Sequence, residues 1–349
     1  MRRAYATWFI TLAATAAAAG GCGGGDDDGG DAATGGTAPT SAVGTSSTTT
    51  AGAGGGGATS GAGGATSGAG GQPFVDPIAG IDPPTAIDTD YEFTEGTAWV
   101  PSESLLFFSD IPADEIYTVD ENDTVTLWTG SSNGTNGNAL AEDGTMISCE
   151  QSPPRVVRRT NYGDPSAVQV VADTYNGLSF NRPNDVIVRG DGHLYFTDPN
   201  YAGAQSQPFQ GVYHVTPDGT VNLVDDAMDK PNGIALSPDE TILYVTDAAR
   251  DELWAFDVTS DGSVAGGSKR KLADTNGVPD GFAVDDQGYL YLTTDAGIDV
   301  HAPDGSPFGN IPVPQQPANC TFGGSDRRTL YITARSGVYK VRVNVPGRP

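Results

Sequence analysis

The chain has 349 residues, 44 of them acidic and 18 basic, for a formal net charge of −26. An acid excess of this size speaks against nucleic acid or an anionic lipid surface as the partner, and is compatible with cation binding or with simple solubility. The length allows one substantial core, including a barrel or propeller counted as a single domain.

The first 21 residues open with Arg2 and Arg3, run through an apolar stretch from Trp8 to Ala19, and end in small residues. That is the layout of a secretory signal peptide, and the apolar run is too short for a spanning helix. Ala19-Gly20-Gly21-Cys22 resembles the lipobox of bacterial lipoproteins, which makes Cys22 the expected lipidated residue and the membrane a partner through that anchor. Gly23 after the cysteine favours outer-membrane placement, facing the periplasm or the cell surface. Residues 22–72 are nearly all Gly, Ala, Ser and Thr. Such a composition cannot bury enough apolar surface to offset the entropy of ordering, so a flexible tether is expected there.

From residue 73 to residue 349 helix periodicity is almost absent. Short β-type runs recur instead: Leu105 to Ser109, Leu194 to Thr197, Leu243 to Thr246, Leu290 to Thr293 and Leu330 to Thr333. Most follow a turn rich in Asp, Gly and Pro. The residues just after the runs, with Glu150 in the same phase, are Asp110, Glu150, Asp198, Asp247, Asp295 and Ala334. Spacing of roughly 40 to 50 residues is the period of propeller blades. Six markers predict an all-β, six-bladed propeller of four-stranded antiparallel sheets, closed by pairing the last strand, near Gly337 to Val343, with one from Thr85 to Phe93.

A short polar motif precedes each marker by roughly 15 residues. The six are Glu95-Gly96, Asn136-Gly137, Asn184-Asp185, Asn232-Gly233, Asp280-Gly281 and Asn319-Cys320. Positions equivalent by phase on the first strands of the blades converge at one end of the channel. Carboxylate and amide oxygens without sulfur or imidazole suit a hard cation, Ca²⁺ first, with Mg²⁺, Mn²⁺ and Zn²⁺ as alternatives. Asn-Gly and Asp-Gly are also common turn formers, and a repeat protein repeats its turns in phase whether or not it binds a ligand. The carboxylates of Glu95 and Asp280 depart from that turn pattern toward negative charge.

His193, His214 and His301 all fall outside the channel phase, against a histidine triad or a histidine zinc site. His193 reads as a turn residue and the other two as members of outer strands. Gly130-Ser131-Ser132-Asn133-Gly134 fits the nucleophile-elbow pattern but lies in a polar inter-blade loop, not between a strand and a helix. Cys149 and Cys320 fall on non-adjacent blades and are expected as free, buried thiols.

The string Phe180-Asn181-Arg182-Pro183-Asn184-Asp185-Val186, with Tyr195-Phe196-Thr197-Asp198-Pro199 after it, resembles the gluconolactonase, or senescence-marker-protein-30-like, lactonase family. Lys230-Pro231-Asn232-Gly233, Pro279-Asp280-Gly281 and Asn319-Cys320-Thr321-Phe322-Gly323-Gly324 are similar to it as well. The resemblance implies metal ligands at Glu95, Asn184, Asn232 and Asp280, a substrate-contacting Arg182, and hydrolysis of a lactone. Asp280 is the candidate base for the attacking water, with Glu95 chiefly a ligand. Asn136 and Asn319 are candidates for contact with substrate or bound water, and Asp185 for orienting Asn184 or its loop beside the substrate. The competing reading is a propeller without activity that binds a ligand or a protein at the cell surface.

Overall fold

The computed structural model describes residues 74–201, 203 and 205–349. The expected leader, Cys22 and the tether at 22–72 lie outside the described residues. Six four-stranded antiparallel sheets follow one another along the chain. Blade 1 comprises Thr94–Val100, Leu105–Asp110, Glu115–Val119 and Val125–Thr129. Its first strand lies innermost and its fourth outermost, and the other blades repeat this order. The inner strands are Thr94–Val100, Thr135–Leu140, Val186–Val188, Pro231–Leu236, Pro279–Val284 and Pro317–Gly323. Each packs on the inner strands of the blades to either side, and blade 6 packs on blade 1. The expected closure is present: Thr85–Asp88 forms the outer strand of blade 6 by pairing with Gly337–Arg342, Thr85 opposite Lys340.

Alternation along the strands explains the core. Residues facing out of a sheet meet the next blade, so the apolar residues form clusters between neighbouring blades. At the closure Trp99 of blade 1 stacks on Tyr331 of blade 6, ring centroids 5.6 Å apart. Gly323 lies under the indole, where an added Cβ would come within 2.7 Å of it. Cys149 and Cys320 are buried and unpaired.

The markers prove to be a structural device. Asp110 accepts the backbone N–H groups of Glu92 and Phe93, Asp198 those of Asn181 and Arg182, and Asp247 those of Asp229 and Lys230. Each carboxylate thus clamps the loop that enters the inner strand of its own blade. Blade 2 substitutes Glu150, which is fully buried and paired with Arg155 at 2.6 Å and Arg159 at 3.1 Å. Blade 5 corrects the phase by one residue. Thr294, not Asp295, stands opposite Pro279, as Asp247 stands opposite Pro231; Asp295 still accepts the N–H of Val278 from its shifted place.

Candidate active site

All six motifs lie at the same end of their blades, on or immediately before the inner strands. The ladder is interrupted there: register shifts fall between Glu95 and Ala98, Thr135 and Asn138, Pro231 and Ile234, Pro279 and Phe282, and Pro317 and Asn319. In blade 3 the strand begins only at Val186, after Asn184 and Asp185. A bulge leaves residues unpaired and re-aims their side chains, which lets these polar groups depart from the in-and-out alternation of the strand.

The glycines after the motif residues do not act as turn residues. A Cβ on Gly137 would sit 2.6 Å from the Asn184 carbonyl oxygen, one on Gly233 2.3 Å from that of Asp280, and one on Gly281 2.4 Å from the Asn319 amide. Gly96 combines this crowding, 1.8 Å from the Asn136 carbonyl oxygen, with a φ of +54°. These glycines let each blade approach the next at the height of the motifs. Hydroxyl groups stitch the same level. Ser109 donates to the Asn136 carbonyl at 2.9 Å, Thr197 to that of Asn232 at 2.6 Å, and Thr246 to that of Asp280 at 3.1 Å. Thr293 reaches the Ala318 carbonyl of blade 6 at 2.9 Å.

Glu95, Asn136, Asn184, Asp185, Asn232 and Asn319 are all buried, and Asp280 is half-buried. Burial, reinforced by the charges of Asp280 and Asp185, raises the Glu95 pKa well above the usual carboxylate range. Burial and then Asp185 raise Asp280 also, while hydrogen bonds from Asn232 and the Gly281 N–H and the charge of Arg335 pull it back. Asp185 is pushed up to about 7 by desolvation, against N–H donation from Val186 and Ile234. Its carboxylate therefore reaches across to blade 4 and adds a third acid to the cluster, a wider role than holding its own loop.

Asn232 is the most informative residue of the set. Its Nδ2 donates to the Tyr201 hydroxyl at 2.7 Å, yet its Oδ1 is buried and has no hydrogen-bond partner among the described residues. An orphaned acceptor beside mutually repelling carboxylates costs free energy that a bound cation would recover. The donor set is carboxylate and amide oxygen; among the described residues no group of three or more His, Cys, Asp or Glu has ligating geometry. Asn184 offers an amide from the clamped loop, its N–H bound to the Thr197 carbonyl at 2.8 Å.

Arg182 is half-buried, and its backbone is fixed by Asp198 at 2.7 Å. Asn319 accepts from Thr97 at 3.2 Å and donates toward Glu95 and Asp185, which ties it to the acids. Tyr201 carries no motif signal; it stands exposed in the loop after Asp198 and accepts at its hydroxyl from Asn232. The histidines lie elsewhere: His193 contacts His214 through ring nitrogens 2.7 Å apart, and His301 is held by Asp299 and the Gly305 carbonyl. In the 130–134 loop Ser132 is buried and bound to Asp114, with no histidine partner.

Residues 93–336 match the family model of the SMP-30/Gluconolactonase/LRE-like region. The chain belongs to that family. It is 33% identical over 309 residues to the gluconolactonase of Zymomonas mobilis, across 79% of this chain and 85% of that protein. Among solved structures it resembles the gluconolactonase of Xanthomonas campestris, with 29% identity, a TM-score of 0.69, and coverage of 78% of this chain and 99% of the other. The calcium-binding protein regucalcin of Agrobacterium tumefaciens shares the fold at 20% identity and a TM-score of 0.66, over 77% and 96% of the two chains.

Proposed function

We propose that this member of the SMP-30/gluconolactonase family hydrolyses a lactone, a sugar lactone or a related cyclic ester, at the mouth formed by the six motifs. The observation that carries the reading is the unpartnered Asn232 Oδ1 beside the buried carboxylates of Glu95 and Asp185 and the half-buried one of Asp280. Membership of a family that includes the gluconolactonase of Zymomonas mobilis supports the reaction class. Glu95, Asn184, Asn232 and Asp280 are the residues that would hold a divalent cation, Ca²⁺ first. When bound, the cation polarises the carbonyl and acidifies water.

The chain's own residues do the rest. Asp280, whose carboxylate burial and the Asp185 charge make more basic, takes in its ionised form a proton from the attacking water and returns one to the departing ring oxygen, so that lactone and water yield a hydroxy acid. Glu95 and Asp185 keep the negative field that favours the cation. Arg182 holds a substrate oxygen from its clamped backbone, with Asn136 and Asn319 as further polar contacts. Cys22 is proposed to anchor the chain by lipid to the outer membrane, facing the periplasm or the cell surface.

The decisive experiment is a panel of aldono- and aliphatic lactones, assayed with the purified protein before and after chelation. Hydrolysis that is lost to chelator and restored by Ca²⁺ is expected. No turnover across the panel, together with no calorimetric signal for Ca²⁺, Mg²⁺ or Mn²⁺, removes the proposal.

A further inference from the structure

Among the described residues every lysine and arginine pairs with a carboxylate except Arg182, Lys230, Arg328 and Arg335. In a chain with so large an acid excess, a cation without an acidic partner is a selective feature. Arg328 stands at the opposite end of its blade, just before Thr329–Ala334. The other three stand at the site mouth. Arg182 precedes Asn184 by two residues and Lys230 precedes Asn232 by two, while Arg335 follows Ala334, the residue opposite Pro317.

Lys230 enters blade 4 and Arg335 leaves the second strand of blade 6, the two blades on either side of blade 5, which carries Asp280. Each is steadied by an aromatic face: Lys230 Nζ lies 4.5 Å from the Tyr201 ring centroid, and Arg335 Cζ lies 5.6 Å from that of Phe93. A ring holds a cation in place without neutralising it, so the charge remains available to a ligand. The Arg335 guanidinium also bonds the side-chain oxygen of Gln316, a neutral partner that orients it.

We propose that Lys230 and Arg335 are specificity-determining residues that bind an anionic substituent, a carboxylate, phosphate or sulfonate, on the part of the lactone remote from its ring carbonyl. The inference rests on the lactonase reading and deepens it by naming the substrate class as anionic sugar lactones. Two cations on the blades to either side of blade 5 would hold such a substituent at the rim while the ring carbonyl enters among the motifs.

The test compares kcat/KM for 6-phosphoglucono-1,5-lactone and glucono-1,5-lactone in the wild-type protein and in the double variant K230Q/R335Q. Calorimetric binding of 6-phosphogluconate and gluconate runs in parallel, so that a readout exists even without turnover. The wild type is expected to favour the phosphorylated lactone at least tenfold, and the phosphorylated acid likewise in binding. The double variant should lose most of that ratio, and added salt should reduce it in the wild type. A wild-type ratio near one, or a ratio that survives in the double variant, overturns the proposal. Absence of turnover with the binding preference intact would instead defeat the lactonase reading and leave the anion site standing.

Discussion

The two ends of the central channel are built differently from the same strands. At the site end the inner strands are bulged, carry carboxylates and amides, and leave an acceptor of Asn232 without a partner. Toward the other end the ladders are regular, and Ala98, Ala139, Ala235 and Ala283, all three residues beyond their motifs, line a cavity of about 60 Å³. Arg348 and Pro349 line it too, and Arg348 pairs with Glu240. Asp285, just past the end of the blade 5 inner strand, is fully employed: it accepts N–H groups from Gln287 and Tyr289 at 2.9 Å and the Tyr291 hydroxyl at 3.2 Å. At the site end the unsatisfied acceptor stands among carboxylates, the usual mark of a site that trades stability for function.

The largest expected effect separates the ends directly. Asp280→Asn should lower lactone turnover by about a thousandfold, the upper range of losing a general base and a charged ligand together, and leave the fold intact. Because it removes one of three repelling acids, the cation-free variant should melt at or above the wild-type temperature. Asp285→Asn should do the reverse, costing roughly 1–2 kcal/mol of stability with turnover nearly unchanged. Steady-state kinetics and thermal melts on both variants check the contrast. Wild-type rates in Asp280→Asn would remove that residue from its role.

A smaller effect concerns pH. Burial raises the folded pKa of Asp185 and Asp198 to about 7 and that of Asp285 to about 6, above the unfolded range near 4. Between pH ~4 and pH ~7 the folded chain therefore binds more protons than the unfolded one, and stability falls as pH rises. The cation-free protein should melt higher at pH 5 than at pH 8, and Ca²⁺ should narrow the gap at pH 8. A melting temperature that rises over the same interval contradicts these shifts.

The smallest effect tests the close approach of the blades. Gly233→Ala forces a methyl group against the Asp280 carbonyl oxygen and should cost about 1–3 kcal/mol, with a loss of turnover beyond what the melt alone explains. The same change at Gly144, a turn glycine with open space around it and a φ of +79°, should cost only its local backbone strain and leave turnover unchanged.

Much of this molecule was written in periodicity. The strand runs, the six-fold repeat, the strand that closes the ring and the common height of Glu95, Asn136, Asn184, Asn232, Asp280 and Asn319 all follow from spacing, because a propeller maps sequence phase onto height along one axis. The one-residue error at Asp295 shows the limit of counting: register is decided by pairing, and Thr294 takes the ladder position. The meaning of the glycines was also hidden. Asn-Gly reads locally as a turn, whereas its reason lies in the neighbouring blade, roughly 40 to 50 residues away in sequence.

Residue identity and spacing by themselves determined the fold class and the chemical character of the channel mouth. Only the tertiary structure decided which polar atoms stay unsatisfied, how burial and neighbouring acids raise the Glu95 and Asp280 carboxyls, that Tyr201 reaches Asn232, and that Lys230 and Arg335 rest on the rings of Tyr201 and Phe93. Desolvation and Coulomb coupling act between side chains brought together by folding, and no local pattern along the chain encodes those distances.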